Sequence, residues 1–217
     1  MLPSEILKGL TKVDSSDFID LLNYYYTAWL FVFMCALTSA KQYFGSPIQC
    51  MVPADWRSDW AQYARDYCFV TNTFHVDTKQ KTDTSDQQYI GYYQWVPLIF
   101  AFEALAFYAP SLLLRALGHL KYGRTFVRVT YLLNIAVQLA IMALITGFVW
   151  PTEDDFPLVT LCEVSRRQIG QDSHATSEIM QCVLVINMLN HKLFLVLWIW
   201  LVVLFGVSLV WFVLLVK

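Results

Sequence analysis

The sequence predicts an all-α membrane protein with four transmembrane helices, two disulfide-stapled extracellular loops and an N-terminal amphipathic helix. Three observations lead there. First, the 217 residues are 57% hydrophobic and 15% charged, with a mean hydropathy of +0.47. Soluble domains carry roughly 45–50% apolar and about 25% charged residues, and a soluble surface of this size needs more charge than this chain supplies. Second, four apolar runs reach the roughly 20 residues that a helix needs to cross a ~30 Å hydrocarbon layer. Third, four of the five cysteines fall as two pairs in the two long polar stretches. The same composition excludes intrinsic disorder. A formal net charge of −2 gives no basic footprint, so no nucleic-acid partner is expected.

In chain order, residues 1–22 begin with Leu2, Ile6, Leu10 and Val13, spaced by four, four and three, with Glu5, Lys8 and Lys12 elsewhere on the wheel. That pattern predicts a short amphipathic helix, of a kind that lies on a membrane surface. Ser15, Ser16 and Asp17 supply a break and a cap for the next helix. The first crossing covers 23–43, with Tyr24, Tyr25 and Tyr26 at one end and Lys41 and Tyr43 at the other, read as an interfacial belt with a snorkelling lysine. None of the runs has the form of a cleavable signal peptide. The first loop, 44–91, holds Cys50 and Cys68. Its Asp55, Trp56, Asp59, Trp60 and Arg65 fit a short helix lying on the loop with an apolar face inward.

The second crossing, 92–117, reads YYQWVPLIFAFEALAFYAPSLLLRAL. Pro97 falls in its first turn, where the missing N–H costs nothing. Pro110 lies inside the helix and removes a hydrogen bond, so a kink is expected there; it serves either packing geometry or a bend that shapes a pore. Glu103 is the one carboxylate within a crossing. A charge at that depth costs at least ~2.5 kcal/mol unless it faces water, finds a partner or is protonated. Asn134 and Gln138, four residues apart on the third helix, are the candidate partners; a ring of Glu103 carboxylates favouring cations is the sharper alternative. A short cytosolic linker (118–128), a third crossing (129–150), a second loop (151–191) with Cys162 and Cys182, and a fourth crossing (192–217) complete the chain.

Orientation follows from charge density and cysteine chemistry. Arg115, Lys121, Arg124 and Arg128 cluster beside membrane ends, which places the linker and both termini in the cytosol. The two long loops together carry twelve Asp and Glu. Two cysteines per loop, with 17 and 19 residues between them, form a disulfide framework that needs an oxidising compartment. No pair has zinc-ligand spacing, and no cofactor is expected. Four cysteines allow three connectivities. Cys35, inside the first crossing, reads as a free thiol packed as a small hydrophobe. His75, His119, His174 and His191 are scattered, with no HExxH pair, nucleophile elbow or phosphate loop, so the sequence does not predict an enzyme.

Tyr92, Tyr93, Gln94, Trp95, Val96 and Pro97, followed by an apolar helix, an aromatic pair and Pro110, closely resemble the second-crossing signature of the innexins, the invertebrate gap-junction proteins. Asn23 to Thr27 resembles the start of that family's first crossing. Lys41 to Gly45, with Pro47, Ile48 and Cys50, resembles its exit. Tyr67-Cys68 with Thr71 to Thr73 resembles the end of the first loop's core, and Phe156-Pro157 to Cys162, then Gln181 to Leu184 and Ile186 to Met188, resemble the run into the fourth crossing. The resemblance runs in family order from about Asp20 onward. It implies a plasma-membrane gap-junction subunit in a homo- or hetero-oligomeric ring, an octamer by that likeness, which docks onto an opposing hemichannel across the gap between cells. It also implies that residues 1–22 fold into the pore mouth as a funnel, with Leu2, Glu5, Lys8 and Glu103 as pore candidates and Asp55, Trp56, Asp59, Trp60 and Arg65 as docking-loop candidates. It further implies bonds between the loops, Cys50 with Cys182 and Cys68 with Cys162, where two intraloop bonds are the alternative. The linker and C-terminal region are shorter than the family pattern. An undocked, pannexin-like hemichannel and a truncated modulatory subunit that co-assembles with longer relatives are the other functions consistent with the sequence.

Overall fold

The computed structural model describes residues 18–71, 73–75, 88–116, 124–145, 156–166 and 176–216. The expectations for Leu2, Glu5 and Lys8, and for the amphipathic segment up to residue 17, lie outside the described residues. Five helices are present among the described residues: α1 (Phe18–Phe44), α2 (Ser58–Val70), α3 (Val96–Ala116), α4 (Arg124–Ile145) and α5 (Val185–Val216). The strands are β1 (Gln49–Cys50), β2 (Thr73–His75), β3 (Gln88–Ile90), β4 (Val159–Arg166) and β5 (Thr176–Val183), with a 3₁₀ turn at Tyr92–Gln94 before α3.

Three of these helices are long and apolar enough to cross a membrane, over Phe18–Phe44, Val96–Leu113 and Val185–Leu214. The apolar part of α4 among the described residues, Phe126–Ile141, is shorter. Several boundaries differ from the sequence expectation. Helix α4 starts at Arg124, so the end of the expected linker is helical. Helix α5 starts at Val185, inside the expected second loop. Tyr92–Gln94 precede α3 instead of belonging to it. Helix α3 continues through Pro110.

The all-α expectation needs correction: the two long loops together form one five-stranded antiparallel sheet, in the order β1-β5-β4-β2-β3. The physical reason is visible in the side-chain alternation. Along β4, Thr160, Cys162 and Val164 are buried while Val159, Glu163 and Ser165 are exposed; along β5, Met180 and Cys182 are buried while Ser177, Ile179 and Gln181 are exposed. That period of two is the signature of a half-buried strand. The register places Thr160 opposite Cys182 and Cys162 opposite Met180, so both strands turn the same residues inward. Helix α2 covers this face with Ala61, Ala64 and Cys68, all buried. These small side chains at i, i+3 and i+7 let a helix approach a sheet closely.

The chain divides into two compact units. One contains residues 18–34 of α1, 99–116 of α3, all of α4 and 195–216 of α5; the other contains the sheet, α2 and the flanking helix ends. In the helical unit each helix buries one stripe: Leu21, Tyr24, Ala28, Phe31 and Met34; Phe100, Ala104, Phe107 and Ser111; Arg128, Tyr131, Ile135 and Gln138; Leu197, Leu201, Leu204 and Ser208. Spacings of three and four keep each stripe on one face. The other faces expose large apolar groups, among them Phe33, Phe102, Leu133 and Val203.

Candidate functional site: the polar hub of the bundle and the stapled sheet

Between helices in lipid, water exclusion gives little drive, and association rests on van der Waals fit and polar contacts. The helical unit builds such contacts from the Asn23–Thr27 segment. Leu22–Tyr26 forms a π-turn inside α1, and both the backbone N–H and the hydroxyl of Thr27 donate to the Leu22 carbonyl, the hydroxyl at 2.9 Å. Such bulges place side chains that a regular helix cannot. Here Trp200 Nε1 of α5 donates to Thr27 Oγ1 at 3.1 Å, and Ser208 Oγ donates to Asn23 Oδ1 at 3.1 Å. Tyr24, 1% exposed, stacks on Tyr131 of α4 with centroids 6.0 Å apart and lies 6.3 Å from Tyr108 of α3. Tyr24 is therefore not a belt residue at the membrane surface. Tyr26, 46% exposed, is the member of the run that faces outward.

Glu103 of α3 is half-buried and meets α4. With the Gln138 amide turned so that its nitrogen faces the carboxylate, Gln138 donates to Glu103 Oε2 at 2.8 Å and Oε1 at 3.2 Å. Amide orientation is assigned from the hydrogen-bond pattern, and only this orientation avoids oxygen facing oxygen. Toward one end of the same unit, the Arg128 guanidinium lies 5.9 Å over the Trp211 ring. Asp20, Asn23, Arg128, Ser208 and Trp211 share a small cavity there.

In the second unit both disulfides join one loop to the other: Cys50 to Cys182, and Cys68 to Cys162. Cys50 stands opposite Cys182 in the β1–β5 ladder. The Met51 N–H to Gln181 carbonyl bond of 2.8 Å makes this a non-hydrogen-bonded pair, the position where opposed side chains lie closest. Cys68 projects from α2 onto Cys162 of β4. The two bonds lie side by side in the core, with Ile48, Ala64, Tyr93, Val164, Met180, Leu184 and Ile186 around them.

The signature residues lock this unit together. Tyr93 is fully buried, and its hydroxyl donates to the Phe69 carbonyl at 3.1 Å. Gln94 Nε2 donates to the Phe69 and Val70 carbonyls at 2.6 and 3.2 Å. These are last-turn carbonyls of α2 that have no partner within the helix. Burial pushes the Tyr93 hydroxyl above its ordinary value, which keeps it a donor. Tyr92 Oη accepts from Asn187 Nδ2 at 3.1 Å, and the same amide donates to the Pro157 carbonyl at 3.0 Å. Asn187 and Asn190 are both fully buried. The sequence expectation gives them no role, and the signal for them is two amides three residues apart in the first two turns of α5. Trp95, by contrast, is 61% exposed.

The loop-helix candidates separate. Asp55 and Trp56 precede α2, in a turn closed by the Trp56 N–H to Pro53 carbonyl bond of 3.1 Å, and Trp56 packs against the core. Asp59 is exposed beside Arg57 at 3.9 Å, an ion pair worth little in water. Arg65 is half-buried. Trp60 does not face inward: it is half-exposed and meets the half-exposed Tyr63, which in turn stacks on the half-buried Tyr67. Cys35 is a free thiol with Sγ 4.0 Å from Ser39 Oγ.

Long apolar helices whose connecting loops are cross-linked into one disulfide-bonded sheet define the class of polytopic membrane proteins. A family model described as Innexin matches residues 16–132 and 141–216. The chain is 30% identical to Innexin-3 of Caenorhabditis elegans over 265 aligned positions, covering 84% of this chain and 62% of that protein. It is 30% identical to Innexin unc-9 and 29% to Innexin-10 of the same organism, covering 89% and 90% of this chain and 72% and 50% of those proteins. The chain belongs to the innexin family. It spans half to about three quarters of the length of these relatives. The alignments extend over more positions than the 217 residues here, so the relatives hold internal stretches that this chain lacks.

Proposed function

We propose that the chain is a gap-junction channel subunit. A ring of such subunits in the plasma membrane, eight by family likeness, docks onto a ring in the adjacent cell. Ions and small solutes then pass by diffusion, with no chemical step and no cofactor. The termini and the segment between α3 and α4 are cytosolic, α4 is the third of four crossings, and residues 1–22 form the pore funnel. The observation that carries this reading is the joining of both loops by Cys50–Cys182 and Cys68–Cys162 in one sheet, in a chain of the innexin family. Docking of loosely ordered loops loses entropy on contact, and a pre-ordered sheet avoids that loss. The Gln138 contact favours a helix-pairing role for Glu103 over a pore ring. An E103Q channel with altered cation/anion permeability would return Glu103 to the pore.

One further observation supports a second reading. The internal stretches present in the relatives and absent here favour a modulatory subunit that co-assembles with longer innexins. Dual recording from paired cells expressing this chain alone separates the possibilities. Junctional current supports the first reading. Current only in unpaired membranes supports an undocked hemichannel. No current alone, with altered current on co-expression with a longer innexin, supports the modulatory subunit.

A further inference from the structure

The two disulfides do more than staple separate points. The Sγ atoms of Cys50, Cys68 and Cys182 all lie within 4.8 Å of one another, although Cys68 is bonded to Cys162 and not to either of the others. A thiolate released at one bond therefore stands next to the other. Access is unequal: Cys68 and Cys182 are fully buried and Cys162 is 1% exposed, whereas Cys50 is half-buried. Exchange proceeds by thiolate attack on a disulfide sulfur, and its course is set by which sulfur is reachable.

We propose that Cys50 is a thiol-modification site whose attack triggers an exchange between the two disulfides. A low-molecular-weight thiolate attacks Cys50 Sγ. A mixed disulfide forms there, the Cys50–Cys182 bond breaks, and Cys182 leaves as a thiolate. Cys182 then attacks Cys68 Sγ; the Cys68–Cys182 bond forms, the Cys68–Cys162 bond breaks, and the Cys162 thiolate takes a proton from water. One thiol and two protein disulfides become one mixed disulfide, one protein disulfide and one thiol, so electrons and atoms balance with no oxidant. The exchanged form keeps the loops cross-linked, now from α2 to β5. It releases β1, and with it the segment leaving α1, from its covalent attachment to the sheet. The inference rests on sulfur geometry and is independent of the channel reading.

The test is disulfide mapping of the full chain in membranes after limited glutathione, quenched with N-ethylmaleimide. The expected result is loss of the Cys50–Cys182 peptide pair, glutathione on Cys50, a new Cys68–Cys182 pair and alkylated Cys162. Reduction that leaves Cys68–Cys162 intact with alkylated Cys182 overturns the proposal. A second arm uses Cys50→Ala without added thiol, where Cys182 is already free. A Cys68–Cys182 pair with alkylated Cys162 supports the exchange, and alkylation confined to Cys182 and Cys35 refutes it. If the variant does not reach the membrane, the wild-type titration decides alone.

Discussion

The C-terminal end of α2 gives a prediction that can be worked through from the structure. Tyr93 and Gln94 converge on the Phe69 carbonyl, at 3.1 and 2.6 Å, and Gln94 also reaches Val70 at 3.2 Å. Tyr93→Phe removes one donor and keeps the ring against Phe69. Gln94→Ala removes the other. Each single change leaves the Phe69 carbonyl with one side-chain donor, so each costs about 1 kcal/mol, the net worth of an ordinary hydrogen bond. The double variant strips both, and leaving a half-buried acceptor without a partner adds about 1–3 kcal/mol of desolvation. A coupling of about 1 kcal/mol or more beyond the sum of the singles is therefore expected. For a chain of this size 1 kcal/mol corresponds to about 2–4 °C in Tm. Thermal unfolding of the detergent-solubilised protein should thus shift by about 2–4 °C for each single variant and by more than the sum for the double. A double variant whose shift equals the sum of the singles refutes a shared acceptor, and unshifted singles refute the capping role altogether.

Further perturbations test neighbouring contacts. Tyr24→Ala empties the site between Tyr108 and Tyr131 and should cost about 3–5 kcal/mol, read as a large drop in Tm. Glu103→Leu should lower Tm by an amount in line with about 0.6–2 kcal/mol, the range for intramembrane polar contacts, and Gln138→Leu in the same background should add little. Ala64→Leu drives α2 off the sheet and should cost about 1–3 kcal/mol or more, again measured as Tm. Burial raises the Tyr93 hydroxyl. Its contribution is therefore full below the ordinary tyrosine value of about 10 and is lost as pH rises through the higher folded value. Wild-type Tm should fall more steeply than that of Tyr93→Phe over that alkaline range.

The sequence was informative where the signal is local. Four apolar runs reach crossing length, and two cysteines sit in each long loop. Spacing alone left three connectivities, and only family resemblance pointed to one pairing. The strands were not legible, because β1, β2 and β3 span two or three residues each and are strands only by pairing with distant partners. Nor does residue type mark β4 and β5, since Val159 and Ile179 are exposed while Thr160 is buried. Tyr24 misled for a related reason: aromatic residues near a helix end are common at membrane surfaces, and only packing against α3 and α4 distinguishes a hub from a belt. An amphipathic pattern does not say which of its large side chains turns inward: Trp60 is half-exposed, whereas Ala61, Ala64 and Cys68 are buried.

The proposed function requires that the sheet welded from both loops meets the opposing cell. It is tested most directly by junctional conductance between a cell expressing the wild-type chain and a cell expressing the Cys68→Ala/Cys162→Ala double variant, with surface amounts matched by biotinylation. Conductance between wild-type pairs, and its loss in the mixed pair, is the predicted result. Equal conductance in mixed and wild-type pairs would contradict it.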